Sequence, residues 1–418
     1  MLAAIITIGD EILIGETIDT NSAWIGQELN KIGIDVRQIK SVSDKEQEII
    51  LALDEAKLSA DIILITGGLG PTNDDITKKT LAKYFDAKLI FRKEFFENVK
   101  HIFESRNLPI LEKNKQQAEL PENCIGLHNT RGTAPGMWFE QQTKIIVSMP
   151  GVPFEMKAMM EKEVLPRIKS KYILPYIIHK HILVCGIGES FLAEKIIDWE
   201  DVLPAHIKLA YLPSVGKVKL RLSACGNDKE KLQAEIDSQV EKLIPLVDRF
   251  IYGFDEETLE GNLGKILKQK KLIVTTAESC TAGFIASQIA SVPGSSAYYN
   301  GSAVAYSYEA KEDLLTVKKE TLEKFGAVSE ETVREMMKGV LKLLKADVAM
   351  AVSGIAGPDG STPEKPVGTV WIAVGNKNQV NAKRFYFPVN NRQQIIQLTS
   401  TTALNRLRLF LLGNQLDS

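Results

Sequence analysis

The sequence predicts an α/β protein in which two three-layer domains with mostly parallel sheets are joined by a small α+β domain. Its 418 residues exceed the size of one ordinary domain. Strand and helix patterns alternate towards both ends of the chain, which is typical of a parallel sheet covered by helices. Between them the order is strand, helix, strand, strand, helix. We therefore predict domains over residues 1–168, 176–252 and 255–415.

Composition excludes several classes of protein. Hydrophobic residues make up 44% of the chain and charged residues 25%, which is typical of a soluble globular protein. The net charge of −2 predicts no direct binding of nucleic acid. No apolar run approaches the roughly 18 residues that span a bilayer, so no membrane partner is expected. The 4 cysteines show no CxxC spacing, which favours the cytoplasm over a disulfide framework or a zinc site.

In the first domain, residues 49, 50, 53 and 56 are apolar and share one face of a helix. We predict strands over 2–8, 36–42, 62–66 and 144–148, and helices over 21–31, 45–57 and 152–165. The first apolar run lacks the basic n-region of a signal peptide and is followed by Asp10 and Glu11, so we interpret it as a buried strand. Pro166 and Pro175 bracket a predicted linker.

The middle domain is predicted to contain strands over 180–184, 207–212 and 218–224 and helices over 190–197 and 229–247. In the third domain we predict strands over 272–275, 302–306, 347–352, 369–374 and 384–387. A helix starting at Ser329 carries an apolar face that includes Met336 and Met337, which we interpret as core residues and not as a cofactor site.

Two loops of the first domain follow predicted strands: "TIGDEILIGETIDTN" and "ITGGLGPTNDDIT". Ligands of open parallel sheets bind at such positions. Gly67, Gly68 and Gly70 allow a phosphate to approach the backbone closely. Asp74 and Asp75 would suit a divalent cation beside that phosphate, or one of them could simply cap the next helix.

The motifs "GDEILIGETIDTN", "TGGLGPTNDDIT" and "MPGVPFEM" resemble the molybdopterin-binding-type domain at the N-terminus of the CinA (competence/damage-inducible) family. The resemblance implies metal-dependent hydrolysis of ADP-ribose, although related domains handle molybdopterin and the fold alone names no substrate. The resemblance implies that a glycine loop binds the substrate and that acidic residues bind a divalent Mg²⁺, Mn²⁺ or Co²⁺. The implied contacts are Asn21, Gly67, Gly68 and Thr72 for the ligand, and Asp10, Asp74 and Asp75 for the metal. The loop "RGTAPG" could close over a nucleotide or form a surface turn.

In the third domain, "TTAESCTAGF" places Ser279, Cys280 and Thr281 side by side. The chain has 5 histidines, at positions 101, 128, 179, 181 and 206, and none of them lies in this domain. A histidine-dependent triad would therefore have to borrow its base from elsewhere in the protein. A nucleophilic serine would need another activator, such as a lysine of lowered pKa or a tyrosine relay.

Tyr306 ends a predicted strand and Lys311 follows shortly after it, and we expect this strand to end at the same sheet edge as Ser279. Cys280 is interpreted as a small buried residue and Thr281 as an N-cap or N1 residue. From the residues alone, Ser279 could be either a nucleophile or a helix cap.

Three further segments are expected near the same edge. "GSSAYYNGS" supplies hydroxyl groups, and the glycine-rich segment 352–369, with Gly354 and Gly357, could hold a ribose phosphate or an oxyanion. Arg392 at the start of the last helix could bind a phosphate. Ordinary turns and a solvated charge are the alternatives.

The motifs "TTAESCTAG", "GSSAYYNGSAVAYSYEAK", "GAVSEETV" and "SGIAGPDGSTPEKPVGTVW" resemble the CinA C-terminal domain and nicotinamide mononucleotide deamidases. With "GIGES" and "AYLPSVGKVKLRL" in the middle domain, the resemblance covers the whole chain. It implies a hydrolase that converts nicotinamide mononucleotide to nicotinate mononucleotide and ammonia without a metal or cofactor. The implied residues are Ser279, Tyr306 and Lys311 for catalysis, and Ser296 and Arg392 for substrate.

We expect Lys311 to act on Ser279 through Tyr306, and the family implies a homodimer. Three alternatives stay open: a molybdopterin-processing enzyme, a non-enzymatic competence or recombination partner, and a family member in which only one domain is active.

Overall fold

The computed structural model describes residues 1–72, 74–105, 107–414 and 416. Asn73 of the glycine-rich motif and residue 415, the predicted end of the third domain, lie outside the described residues. The chain forms two compact units, residues 1–178 with 225–233 and residues 179–224 with 234 onward. The predicted fold class, mixed α/β with mostly parallel sheets in several domains, is confirmed.

The first unit contains a six-stranded sheet of order β2-β1-β3-β8-β7-β6 and a two-stranded sheet β4-β5. Its strands are β1 (Leu2–Ile8), β2 (Asp35–Val42), β3 (Ile62–Thr66), β4 (Leu89–Phe91), β5 (Glu119–Pro121), β6 (Ile125–Leu127), β7 (Gly136–Gln141) and β8 (Lys144–Met149). Its helices are α1 (Asp10–Leu13), α2 (Thr20–Lys31), α3 (Glu46–Ser59), α4 (Thr77–Tyr84), α5 (Lys93–Ser105), α6 (Glu112–Gln116), α7 (Pro153–Met159) and α8 (Leu165–Lys171).

The four strands β2, β1, β3 and β8 are parallel, and β7 and β6 continue the sheet in antiparallel order. All of β3, with the sequence "IILIT", is buried, because helices cover both faces of a central parallel strand. Its neighbour β1 is buried from its second residue onward for the same reason. The carboxyl ends of these strands therefore deliver their loops to one edge of the sheet.

One predicted helix and the predicted linker differ from the structure. Residues 160–164 form a π-helical turn between α7 and α8, so the segment predicted as one helix is interrupted. Pro166 lies in the first turn of α8, where a proline costs no hydrogen bond, and the helix continues to Lys171. The prediction of a linker directly after Pro166 is therefore wrong.

The middle segment folds as a four-stranded sheet of order β10-β11-β9-β12. Its elements are β9 (Tyr176–Cys185), α9 (Glu189–Asp201), β10 (Ile207–Ser214), β11 (Lys217–Gly226), α10 (Lys229–Val247) and β12 (Ile251–Phe254). β12 was not predicted, because its four residues "IYGF" are too few to show a strand period. It pairs antiparallel with β9 and ends next to the segment that starts the last domain.

The last segment forms a five-stranded sheet of order β14-β13-β15-β16-β17. Its strands are β13 (Val274–Glu278), β14 (Tyr299–Val304), β15 (Val348–Gly354), β16 (Thr369–Asn376) and β17 (Val380–Tyr386). Its helices are α11 (Leu259–Lys270), α12 (Phe284–Ala290), α13 (Tyr308–Leu315), α14 (Lys319–Phe325), α15 (Glu330–Leu343) and α16 (Arg392–Leu411). β14, β13 and β15 are parallel, whereas β16 and β17 follow in antiparallel order. Met336 and Met337 are fully buried core residues, as predicted.

α13 and α15 pack so closely that only glycine fits at position 339. A Cβ added to Gly339 would lie 1.9 Å from the carbonyl oxygen of Leu315, the last residue of α13. This backbone contact fixes the position of α13 against α15.

We predict that Gly339→Ala lowers the free energy of unfolding by about 1–3 kcal/mol, because the two helices must separate. Without such a contact, Gly→Ala inside a helix gains about 1 kcal/mol. Gly26→Ala in α2 is the matched control, since its Cβ would meet only a Val36 methyl at 3.8 Å. Amide hydrogen exchange of α13 and α15 measures the effect, and unchanged exchange in Gly339→Ala would contradict the prediction.

Candidate active sites

Ser279 lies in a tight turn between β13 and α12. β13 ends at Glu278 and α12 begins only at Phe284. Ala282 and Gly283 adopt left-handed conformations, with φ of 49° and 91°. The prediction that Thr281 is an N-cap or N1 residue is therefore wrong, because it lies before the helix.

The turn is held by the carboxylate of Glu278, which is fully buried. Five donors from the turn and its surroundings surround the two carboxylate oxygens. They are the hydroxyls of Thr276 and Thr281, at 3.0 and 2.7 Å, and the backbone N–H groups of Gly283, Ile285 and Ala286, at 3.0, 3.1 and 2.8 Å. Glu278 thus binds the N–H groups of the first turn of α12 that have no partner within the helix.

Lys311 is in direct contact with Ser279. Its Nζ lies 3.1 Å from Ser279 Oγ, and the lysine side chain is 0% exposed. Nζ also donates to the backbone carbonyls of Ala305 and Tyr306, both at 2.8 Å, and more weakly to that of Ser307 at 3.4 Å. Burial lowers the pKa of Lys311 to about 8, because the low-dielectric surroundings disfavour the charged form.

The direct contact corrects the expected relay through Tyr306. The Tyr306 side chain is 60% exposed, and its hydroxyl accepts a hydrogen bond from Arg392 Nη2 at 3.1 Å. Only the main-chain carbonyl of Tyr306 binds Lys311. The phenol is therefore not interposed between Lys311 and Ser279, and the predicted order Lys311–Tyr306–Ser279 is wrong.

Arg392 is the first residue of α16, as predicted, and Asn391 caps that helix by accepting from Gln394 N–H at 3.0 Å. Its Nη1 donates to the carbonyl of Gly357 at 2.8 Å. Arg392 therefore joins the glycine-rich loop after β15 to the segment after β14. These loops and Ser279 share one sheet edge because β13, β14 and β15 are parallel.

Two predicted substrate residues in these loops have different surroundings. A Cβ on Gly354 would lie 2.6 Å from a Val370 methyl, so close packing against β16 already requires glycine there. Gly357 has φ of 77°, which favours glycine, and its carbonyl is bound to Arg392.

Ser296 does not belong to the Ser279 site of the same chain. The register pairs Val274 with Tyr299 and Glu278 with Val304. Ser296 precedes Tyr299, so it lies beyond the amino ends of the two parallel strands, whereas Ser279 lies beyond their carboxyl ends. The length of the strands, about 3.3 Å per residue, separates them. Its assignment as a substrate contact within one chain is wrong.

Cys280, the stronger nucleophile by its intrinsic chemistry, is buried and packs in the apolar core. Burial raises the pKa of its thiol to about 12, so the reactive thiolate is disfavoured. This agrees with the sequence-based interpretation of Cys280 as a small buried residue.

A second candidate site is a cavity of about 510 Å³ in the first unit, at the carboxyl edge of the parallel strands. Most of the predicted residues of this domain line it, which confirms that the two loops converge. They are Asn21, Gly67, Gly68, Gly70, Asp74 and Asp75. Thr133 and Ala134 of the "RGTAPG" loop also line the cavity, so that loop lies over it.

The glycine loop is shaped by close backbone approach. Gly67 has φ of 114°, and a Cβ there would lie 2.2 Å from the carbonyl of Ile8. Gly68 has φ of 66°, and its Cβ would meet Thr77 Oγ1 at 2.1 Å. Glycine is therefore required at both positions by the fold, and the exposed backbone that results faces the cavity.

Asn21 carries an unpaired acceptor on the wall of this cavity. Its Nδ2 donates to the Gly151 carbonyl at 2.7 Å and to Thr66 Oγ1 at 3.2 Å, which fixes the orientation of the amide. The other amide atom, Oδ1, is buried without a partner, and so is Oε1 of the cavity residue Gln117. An unpaired buried carbonyl costs about 1–3 kcal/mol, so a ligand that donates hydrogen bonds would be stabilised here.

Acidic residues accumulate on one side of the cavity. Asp44 has a raised pKa, first because it is buried and then because Asp10, Glu11 and Asp74 lie near it. The backbone N–H of Asp10 donates to the Asp44 carboxylate at 3.3 Å. A divalent cation would relieve the mutual repulsion of these carboxylates, so the donor chemistry fits the predicted metal.

The carboxylates form an incomplete set of metal ligands. Within the described residues, no three His, Cys, Asp or Glu side chains are grouped to hold a metal by themselves. Asp75 instead accepts from the backbone N–H of Thr72 at 2.8 Å and from its hydroxyl. Asp75 and Thr72 thus contact each other within the loop, and the metal role of Asp75 and the ligand role of Thr72 stay predictions. The alternative that an aspartate caps α4 is wrong, because Ile76 is at that position and provides no side-chain cap.

Three family descriptions match successive stretches of the chain. Residues 4–170 match the family described as "Probable molybdopterin binding domain", residues 179–253 the "Damage-inducible protein CinA KH domain" and residues 256–411 the "CinA C-terminal domain". A CinA-like protein from Cytophaga hutchinsonii is 48% identical over 406 residues, with 97% of each chain covered. The chain belongs to the CinA family. A second CinA-like protein, from Flavobacterium psychrophilum, is 48% identical over 416 residues and 99% of each chain.

Solved structures of CinA proteins match part of the chain. Competence/damage inducible protein CihA from Agrobacterium tumefaciens is 38% identical and covers 37% of this chain and 96% of its own, with a TM-score of 0.35. Competence damage-inducible protein A from Klebsiella pneumoniae is 38% identical and covers 38% of this chain and 97% of its own, with a TM-score of 0.36. Among the described residues of this CinA protein, no helix has the length and apolar character needed to cross a bilayer.

Two site residues of this CinA protein were missed from the sequence. Glu278 directly precedes Ser279 and is the one acidic residue of the otherwise uncharged strand β13, "VTTAE". A lone acidic residue in a buried strand is the signal that could have identified it. Asp44 follows β2, whose carboxyl end lies beside that of β1. Its position after a parallel strand is the same signal that identified the two predicted loops.

Proposed function

We propose that the last domain is a serine–lysine hydrolase that deamidates nicotinamide mononucleotide to nicotinate mononucleotide and ammonia. The observation that supports it best is the 3.1 Å contact between Lys311 Nζ and Ser279 Oγ. Family membership favours an enzyme, and the deamidase activity and its substrate are our inference from the resemblance of the motifs. A buried lysine with a pKa near 8 is neutral in a substantial fraction of molecules near neutral pH, so it can accept a proton.

The proposed reaction begins when neutral Lys311 Nζ takes the proton of Ser279 Oγ–H. Its two N–H bonds point to the carbonyls of Ala305 and Tyr306, which leaves the lone pair for Ser279. Oγ bonds to the amide carbon of the nicotinamide, and Lys311 returns the proton to the departing nitrogen. Ammonia leaves, and water then hydrolyses the acyl-serine to the acid, with Lys311 again accepting and returning a proton.

Substrate binding is assigned to the groups beyond the same sheet edge. The backbone N–H groups of Cys280 and Thr281, which follow Ser279 in the turn, are the candidate donors to the oxyanion. Arg392 and the glycine loop at Gly357 are the candidate phosphate contacts. The exposed ring of Tyr306, bound to Arg392, would orient that guanidinium.

We predict that Ser279→Ala lowers ammonia release from nicotinamide mononucleotide by at least about 10³-fold. For the wild type, kcat/KM is expected to rise with pH and level off above an apparent pKa of about 8, because Lys311 must be neutral to act as a base. Ser291→Ala is the matched control, since that exposed hydroxyl binds only the carbonyl of Gln288. An ammonia assay across pH 6–10 tests both, and full activity in Ser279→Ala would refute the assignment.

Tyr306→Phe separates direct proton transfer from the relay. With Lys311 in contact with Ser279, we expect kcat to fall less than tenfold and KM to rise, because only the hydroxyl partner of Arg392 is lost. A relay through the phenol would instead cost about 10²–10⁴-fold in kcat. Steady-state kinetics of Tyr306→Phe, with Tyr308→Phe as the control, distinguish the two.

A second proposal concerns the first unit. We infer that its cavity is an active site at which the pyrophosphate bond of ADP-ribose is hydrolysed. The glycine loop, the unpaired Asn21 Oδ1 and the cluster around Asp44 support a phosphorylated ligand with hydrogen-bond donors. Carboxylates of the cluster around Asp44 would hold a divalent Mg²⁺, Mn²⁺ or Co²⁺ together with oxygens of the ligand, because no three of the described acidic side chains are grouped to hold it alone. Bound there, the metal would neutralise phosphate charge.

For this second activity we expect EDTA to abolish ADP-ribose cleavage and Asp44→Asn to raise the Mn²⁺ concentration needed for half activity by at least tenfold. Asp54→Asn, on α3 outside the cavity, is the control. Cleavage of the pyrophosphate bond yields AMP and ribose 5-phosphate, so chromatographic measurement of AMP over a metal titration measures the change. Cleavage that persists in EDTA would contradict the metal role, and turnover of a pterin in place of ADP-ribose would favour a molybdopterin-processing enzyme.

A further inference from the structure

The carboxylate of Glu155 lies on the wall of the cavity in the first unit and has no role in the reaction proposed there. Glu155 is in the first turn of α7, the helix that follows β8. Its Oε2 accepts a hydrogen bond from Asn129 Nδ2 at 2.6 Å. Within the described residues, no donor binds the other oxygen, Oε1. One oxygen is thus fixed by the fold, and the other is available to a ligand.

The Asn129 amide is itself held in one orientation. Its Oδ1 accepts from the backbone N–H groups of Arg131 and Gly132, at 3.0 and 2.8 Å. Its Nδ2 donates to the carbonyl of Ala134 at 2.9 Å as well as to Glu155. Because Oδ1 already binds two donors, Nδ2 is the amide atom that faces Glu155. Position 155 must therefore meet Asn129 with an acceptor oxygen.

Glu155 and the acidic cluster around Asp44 lie on opposite sides of the glycine loop. Asp44 follows β2 and Glu155 follows β8, and the sheet order β2-β1-β3-β8 places two strands between them. At about 4.8 Å from strand to strand, the carboxyl ends of β2 and β8 are about 14 Å apart. The glycine loop follows β3, between these ends. A ligand whose pyrophosphate lies at the glycine loop and the Asp44 cluster therefore extends its other end towards Glu155.

The surroundings of Glu155 in the cavity are largely apolar. Pro150, Val152 and Pro153 precede it in the chain, and Ala134 belongs to the loop that Asn129 holds; all of them line the cavity. Apolar walls disfavour a phosphate or the hydroxyl groups of a sugar, but they suit the faces of a planar base. A single acceptor oxygen among such walls fits a base whose edge carries an N–H donor.

We propose that Glu155 determines the base specificity of this cavity, with Oε1 accepting a hydrogen bond from the exocyclic amino group of an aminopurine. This proposal rests on the pyrophosphatase function proposed above, because that function places the pyrophosphate at the glycine loop. It extends that function by naming the chemical group that is recognised at the other end of the ligand. A base with a carbonyl oxygen in place of the amino group would bring two acceptors into contact and be rejected.

Inosine diphosphate ribose, in which a carbonyl oxygen replaces the amino group of adenine, is compared with ADP-ribose. Isothermal titration calorimetry of the full-length protein in EDTA measures both values of Kd without metal-dependent cleavage. For the wild type we expect the inosine compound to bind at least about tenfold more weakly. In Glu155→Gln, Asn129 Nδ2 holds the amide oxygen, so the amide NH₂ replaces Oε1 and donates. The preference for ADP-ribose should then disappear or reverse.

Glu161→Gln, at an exposed position outside the cavity, is the matched control and should keep the wild-type ratio of the two Kd values. A reversed ratio cannot come from partial unfolding, because unfolded protein weakens the apparent binding of both ligands equally. Equal Kd values for the wild type, an unchanged ratio in Glu155→Gln, or no binding of either ligand would overturn the proposal.

Cleavage of ADP-ribose with Mn²⁺ is measured separately by chromatography of AMP, so that the two proposals can fail independently. Selective binding that changes in Glu155→Gln, without any cleavage by the wild type, would refute the pyrophosphatase function and support the role of Glu155. Cleavage of ADP-ribose and the inosine compound by the wild type with equal kcat/KM would support the pyrophosphatase function and refute the role of Glu155.

Discussion

The buried carboxylate of Glu278 is the constraint on which the candidate deamidase site depends. An ionised carboxylate inside a protein is strongly destabilised unless hydrogen bonds replace its lost water. Here five donors do so, and three of them are N–H groups at the start of α12. Satisfying the carboxylate therefore requires the chain between β13 and α12 to fold back tightly. That turn includes Ala282 in a left-handed conformation, which costs about 1–2 kcal/mol, and it sets Ser279 at the sheet edge.

Parallel strands explain which residues can join Ser279. β13, β14 and β15 end at the same edge, so Lys311, the Gly357 loop and Arg392 are brought together although up to 113 positions of sequence, from 279 to 392, separate them. The same rule excludes Ser296 from the Ser279 site, because Ser296 lies before β14 and not after it. Proximity in sequence to Tyr306 is misleading here, because a strand lies between the two residues. In the first unit, parallel pairing likewise brings the loops after β1, β2 and β3 to one cavity.

The strongly patterned elements were predictable from the sequence, whereas residues that act through single contacts were not. β1, β3 and α10 have the predicted bounds, because their apolar period or run is long and ends at clear polar residues. The π-helical turn at 160–164 and the short strand β12 leave no periodic signal. The motif resemblance placed Ser279 and Lys311 together, but the order of proton transfer depends on a rotamer. Only the structure shows that Nζ, and not the Tyr306 phenol, contacts Oγ.

Glu278 and Lys311 are both fully buried near Ser279, yet they do not form an ion pair with each other. Glu278 is satisfied by N–H groups and hydroxyls, and the donors of Lys311 are directed to backbone carbonyls. A carboxylate within about 4–6 Å that was free to pair would favour charged lysine and raise its pKa. Burial dominates the surroundings of Lys311 and lowers its pKa to about 8. The lysine can therefore lose its proton, which is the state that the proposed base for Ser279 requires in a domain whose sequence contains no histidine.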